Sequence, residues 1–164
     1  MPNTGRTTVK WIRFGVDGAD ADPHEIPIDS ISPVGFVYDE TELTAWQEQV
    51  KGYLTNHPDC AIDITGPWDN SIEAGFADPP AAPTLSGSHT ILAPIVGGNT
   101  PLALAVHFGI RALWEDGNPV FGIITASPTT GYLCTKYTVE GEKYSARFVP
   151  FPGSIPAWGT THIA

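Results

Sequence analysis

Between residues 16 and 26 the chain reads VDGADADPHEI, which gathers Asp17, Asp20, Asp22, His24 and Glu25. Carboxylates and an imidazole at this density are the raw material of a divalent-cation site or of general acid–base chemistry. The spacing fits neither template. An EF-hand loop needs D-x-[DN]-x-[DN]-G and a closing glutamate. Here Gly18 directly follows Asp17, and Asp20 and Asp22 lack the later Gly and Glu at the required offsets. Zinc favours pairs of His or Cys at short spacing, and His24 has no such partner nearby. The stretch therefore reads as a long acidic excursion from a strand.

The remaining reactive residue types are as scattered. His24, His57, His89, His107 and His162 form no HExxH or HxH pattern. SGSH, residues 86–89, brings serines near His89, but neighbours in sequence do not make a triad. There is no G-x-S-x-G elbow and no Walker A loop. Cys60 and Cys134 lack a CxxC partner and read as small buried hydrophobes in strands. The sequence thus predicts no catalytic, cofactor-binding or metal-ligating residues, no cofactor, and a protein that is not an enzyme.

Charge narrows the partners. The 164 residues carry a net −10, unevenly distributed. Residues 1–16 hold Arg6, Lys10 and Arg13 and no acid, whereas residues 17–78 hold fourteen acids against Lys51 alone. Residues 79–164 balance. Lys10, Arg13, Lys136, Lys143 and Arg147 are too dispersed for a phosphate-gripping surface. The balance suits a protein past which DNA slides without sticking, and it equally suits simple solubility. No stretch of 18 or more apolar residues is present, so no membrane-spanning helix is expected. The polar start, MPNTGRTTVKW, has no apolar h-region, so no secretory signal is expected.

The elements that would position these residues read as mostly strands. An apolar fraction of 41% supports a packed core, and 17 glycines with 16 prolines suit a fold rich in turns. TVKWIRFGV (8–16), VGFVY (34–38), CAIDIT (60–65), LALAVHFGI (102–110), VFGIIT (120–125), YLCTKYTV (132–139) and KYSARFV (143–149) read as strands, the last two closed by EGE into a tight hairpin. Within LALAVHFGI, Leu102, Leu104, Val106, Phe108 and Ile110 share one face, and Ala103, Ala105 and His107 the other. Leu43, Trp46, Val50, Tyr53 and Leu54 recur at helical spacing, with Asp39 and Glu42 placed as a capping box and Pro58 as a stop. One packed helix is predicted over about residues 40–54, with Glu42, Gln47, Glu48 and Lys51 facing water. HTILAPIVGG reads either as a short strand or as one helical turn. The expected architecture is mainly β: a single sandwich- or barrel-like domain over 1–164, with an N-terminal arm (1–8), a long loop (66–90) and an extended C-terminal tail (150–164). The tail's Phe151, Ile155 and Trp158 are expected to dock, on this chain or on a neighbour.

The ordered run of a helix containing KGYL, then CAIDITGPWDNSIEAG with Gly66 three residues before Asp69, then PVFGII and a final strand pair resembles the major tail tube proteins of tailed phages and of phage-derived particles. The acidic YDETELTAW belongs to the same pattern, which covers most of residues 34–150. The insert at 17–29 and the Pro-rich 77–88 depart from it. The resemblance implies a structural virion protein of the phage tail, made in the host cytoplasm. Six subunits would form a ring, and rings would stack into a tube through whose lumen DNA passes without specific binding. The partners implied are other copies of the chain, with tape measure and tail terminator or completion proteins, and no membrane. The arm, the 17–29 loop, the 66–90 loop and the tail would make the assembly contacts. Two other readings remain open at this stage. One is a capsid decoration or head–tail connector protein. The other is a soluble sandwich domain that binds carbohydrate on Trp68, Trp114 or Trp158.

Overall fold

A computed structural model of the chain describes residues 11–42, 51, 53–70, 84–109, 117–161 and 163. Alternation of apolar and polar or small residues drives the chain into strands. Among the described residues these are β1 (Trp11–Asp17), β2 (Pro23–Ile26), β3 (Ser30–Ile31), β4 (Val37–Glu42), β5 (Tyr53–Asp59), β6 (Ile62–Pro67), β7 (Thr84–Leu85), β8 (Leu104–Gly109), β9 (Val120–Ile123), β10 (Tyr132–Glu140), β11 (Lys143–Pro150) and β12 (Ala157–Gly159). The one helix among them is α1 (Ser88–Ile95). Among the described residues the protein is mainly β with a single helix, the class the sequence implies.

Two sheets face each other. The first has six strands in the order β12-β9-β8-β1-β2-β7, and the second four in the order β10-β11-β6-β3. All pairings are antiparallel except β2 with β7. Phe14, Val16, Ile26, Leu104, Val106, Phe121 and Ile123 from the first sheet meet Ile62, Ile64, Tyr132, Tyr144 and Phe148 from the second in one buried cluster. Phe14 and Phe148 touch across the gap with ring centroids 5.3 Å apart. Ile91, Leu92 and Ile95 of α1 complete this core, and the helix packs against β10 and β2. The expected β10–β11 hairpin closes through Gly141, whose φ of 62° is the left-handed geometry a tight turn requires.

The predicted helix over 40–54 does not form as drawn. Residues 40–42 lie in β4 and residues 53–54 in β5, which pair antiparallel as a separate two-stranded sheet. Residues 43–50 and 52 fall outside the described residues. Of the residues that carry the helical spacing, Tyr53 and Leu54 belong to β5, where long-range pairing overrides a local period. Among the described residues the helix sits in HTILAPIVGG. Pro94 falls in its last turn, and its first turn leans on the preceding chain: Asp69 accepts the His89 amide at 2.7 Å and the Ser88 hydroxyl donates to Pro67 at 2.9 Å. Gly66 is required at its position, because a Cβ there would lie 2.5 Å from the Pro27 carbonyl oxygen.

Two further segments differ from expectation, and the tail docks on its own chain. The acidic excursion after β1 is a short turn that returns as β2 in register with β1, Phe14 opposite Ile26 and Asp17 opposite Pro23. The 66–90 segment contains the end of β6, β7 and the first turn of α1, with 71–83 outside the described residues. The tail ends in structure: β12 adds to β9, Trp158 packs 5.0 Å from Phe121, and Ile163 is buried with Ala103, Ala105 and Val120. The second face of the chain through β8 is therefore buried as well, with Ala103, Ala105 and His107 all enclosed. Ile110 and the arm 1–8 lie outside the described residues.

Candidate assembly interface

The acidic stretch shows first what the site is not. Asp17 turns back onto the sheet, its Oδ2 accepting the Ala103 amide at 3.0 Å. Burial pushes its pKa up, partly offset by that hydrogen bond. Both carboxylate oxygens of Glu25 accept from the single Nη1 of Arg13, at 2.8 and 2.7 Å, in a cross-strand ion pair. Asp22 donates its backbone amide to Asp20 at 3.2 Å. His24 is buried between Asp20, 3.0 Å from Nε2, and the Ser86 hydroxyl, 2.9 Å from Nδ1. Burial raises the Asp20 pKa, but the His24 bond and backbone donors outweigh it and hold the carboxyl below its ordinary value. The five residues are thus divided among separate partners, and no group that could hold a metal ion occurs among the described residues.

The Asp20–His24–Ser86 chain has the residue types of a hydrolytic triad, and its serine is the first of SGSH, joined to His24 and not to His89. Ser86 is only 3% exposed, and its backbone amide donates to Glu25, which joins the segment to the edge of β2. The chain ties the acidic turn to the β7 segment and presents no open nucleophile. His89 lies elsewhere, its Nδ1 2.9 Å from the Tyr137 hydroxyl and its ring against Trp68. Cys134 and Cys60 are both buried and free. Burial pushes the Cys134 thiol up to about 11, far from the thiolate form that nucleophilic chemistry needs.

The unusual surface is the β4–β5 hairpin. All six residues of β4 are exposed, so neither of its faces has a core to cover. Strand alternation sends Val37, Asp39 and Thr41 to one side and Tyr38, Glu40 and Glu42 to the other. A bulge between Tyr38 and Glu40 adds twist. Val37 is 59%, Tyr38 49% and Leu54 57% exposed, and Asp39, Glu40, Glu42 and Asp59 surround them with negative charge. Among the described residues Lys51 answers Glu42 alone, at 3.2 Å. A lone two-stranded hairpin is marginal in water. This one is held at its root, where Phe36 stacks edge-on to Phe121 at 5.6 Å beside Trp158. The sequence signal for it was the β-branched and aromatic run FVYDETE, masked by the helical spacing that follows.

With this geometry in view, comparison with known structures finds the same fold in a phage-derived particle. The chain is similar to one in the six-fold symmetrised baseplate of the anti-feeding prophage, solved by electron cryo-microscopy: the TM-score is 0.54 at 8% identity, covering 96% of this chain and 98% of that one. It is also similar to a chain of the anti-feeding prophage cap, which terminates the tube, with a TM-score of 0.50 at 12% identity over 98% and 100% of the two chains. No family model and no curated protein matches the sequence. At such identities the shared property is the fold, and it extends over nearly the whole of each chain.

The tryptophans weighed as a carbohydrate platform do not converge. Trp158 is half exposed and packs on Phe108 and Phe121, whereas Trp68 packs on His89. Trp114 lies outside the described residues. Four other strands lie at sheet edges among the described residues: β12 and β7 in the first sheet, β10 and β3 in the second. The longest is β10, nine residues that pair with β11 along their length, are capped at Tyr132 and Cys134 by bonds to Leu102 and Gly97, and carry Lys136 and the exposed Val139. No helix among the described residues is long and apolar enough to cross a membrane.

Proposed function

We propose that this chain is a structural protein of a phage tail or phage-derived tail particle, and within it the tube subunit that forms stacked hexameric rings. The observation that carries this reading is the β4–β5 hairpin, a sheet of its own with every residue of β4 exposed. Free edges and uncovered apolar side chains are a liability in a monomer and become bonding surfaces in a ring, where each hairpin pairs with the next. Closing hairpins side by side would bury Val37, Tyr38 and Leu54 against neighbours and leave the acids of the face that turns inward, Asp39 on one or Glu40 and Glu42 on the other, to line a lumen. Like charge there keeps DNA from adhering as it passes. The fold shared with anti-feeding prophage components supports the tail setting. On this reading the chain's chief partners are its own copies, with tail completion proteins at the ends of the tube. Its single domain acts through surfaces and carries no catalytic or cofactor site.

A second reading has its own support. The similar chains come from a baseplate and from a tube-terminating cap. A ring protein that begins or ends a tube would use the same hairpin but would not polymerise. Negative-stain microscopy of the purified protein over a range of concentrations separates the readings. Hollow tubes support the tube subunit, and single rings that never stack support the terminal ring. A protein that remains monomeric at high concentration and when mixed with preformed tubes refutes both.

A further inference from the structure

The end of the sandwich where β1 stops holds a groove of about 800 Å³ that the hairpin does not reach. Asp17, Gly18 and Ala21 from the turn line it, with Ile95 at the end of α1, Leu102 before β8 and Ile124 after β9. Asp17 is the one charged side chain among the described residues of its lining. Among the described residues no lysine or arginine pairs with that carboxylate, whereas Glu25 and Asp29 each have one. Exposed Asp20 and Asp22 rim the turn and add to the negative field.

The opposite end of β1 carries the complementary charge. Residues 1–10, which lead into Trp11, contain Arg6 and Lys10 and no acid. Trp11 pairs with Gly109 and Val16 with Leu104, so β1 runs straight from one pole of the sheet to the other. Its six residue steps span roughly 20 Å. Lys10 is one residue from Trp11 and cannot reach the groove of its own copy. The Cα of Arg6, five residues away, reaches at most roughly 17 Å, short of the strand it would have to follow, so its guanidinium would meet the groove of its own copy only with backbone and side chain both fully extended along β1.

We propose that the groove at the Asp17 pole receives the N-terminal segment, residues 1–10, of a second copy of this chain, with Arg6 or Lys10 paired to Asp17. The contact is heterologous: the basic pole of one copy meets the acidic groove of the next, and the same relation repeats without closing, which generates a stack. Opposite charges at the two ends also fix its direction, since groove-to-groove contact sets like charges together. The inference rests on the tube reading for its setting, although the pairing itself needs only two copies.

The test uses the full chain and a fluorescein-labelled peptide of residues 1–10. The peptide is expected to bind the wild-type protein, to bind Asp17→Asn about tenfold more weakly, and to lose affinity as salt is raised. The Asp17→Asn side chain still offers an oxygen to the Ala103 amide, so the variant is expected to melt no lower than wild type. In microscopy, Asp17→Asn is expected to leave single rings where wild type gives tubes, and Asp17→Lys combined with Arg6→Asp and Lys10→Asp is expected to restore stacking. Equal peptide binding by wild type and Asp17→Asn, or tubes of normal length from Asp17→Asn, would overturn the proposal. Asp17-dependent peptide binding by a protein that forms no rings would support the pairing and overturn the tube reading instead.

Discussion

Replacing Val37, Tyr38 and Leu54 together by threonine separates assembly from folding. Each side chain is about half exposed in the isolated chain, at 59%, 49% and 57%. Full burial of such a side chain is worth about 1.5–3 kcal/mol, so burying the exposed half at a neighbour contributes roughly 1 kcal/mol each. The three together contribute about 3 kcal/mol per contact, roughly a hundredfold in the association constant. Threonine keeps the β-branched shape that strands favour, so the hairpin itself should persist. Exposed substitutions change the stability of a chain by about 0.5 kcal/mol or less, which moves the melting temperature by only about 2 °C. Sedimentation velocity across a concentration series should therefore show the onset of rings or tubes displaced by about two decades with the thermal midpoint nearly unchanged. Assembly at the wild-type concentration would refute the reasoning. A large fall in the melting temperature would refute it equally, because the three side chains would then be supporting the fold of their own chain.

Other outcomes test the frame on which the hairpin stands. Gly122 has φ 149° in the middle of the six-stranded sheet, and a Cβ there would meet the Leu104 carbonyl oxygen. Gly122→Ala should lower stability by about 3 kcal/mol or more, read by urea denaturation. The Lys143 ammonium donates to Asp29 at 2.8 Å and depresses its carboxyl pKa, while Lys143 itself is raised by the same contact. The stabilisation from Asp29 is present above its unfolded pKa and is lost as pH falls through the lower folded value. Asp29→Asn should therefore flatten the acid limb of a pH–stability curve, by a small amount that salt removes. Cys134 is 1% and Cys60 6% exposed, and burial raises both thiols. Neither should react with a disulfide reagent at neutral pH until denaturant opens the sandwich, followed by absorbance of the released thiolate.

The β-rich class, the strands CAIDIT, VFGIIT, YLCTKYTV and KYSARFV, and the closing hairpin could be read from alternation and turn chemistry, because period-two burial and a glycine turn are local signals. The failure of the acidic stretch to match a metal template was equally local, a matter of offsets along one segment. What the chain could not show was which segments find each other. His24 lies 62 residues from the Ser86 hydroxyl it meets, and β12 reaches back to β9 from the far end of the chain. The face carrying Ala103 and Ala105 is covered by Ile163, about sixty residues further along the chain. The run from 40 to 54 misled for the same reason: Tyr53 and Leu54 continue a helical period on paper, but β4 offers a partner for their backbone groups, and strand pairing prevailed where described. Sequence alone determined composition, charge asymmetry and the local preference for strands, since each resides in individual residues and their neighbours. Tertiary structure decided which apolar side chains were left uncovered and which distant segments closed over one another, since exposure and position are properties of the packed whole.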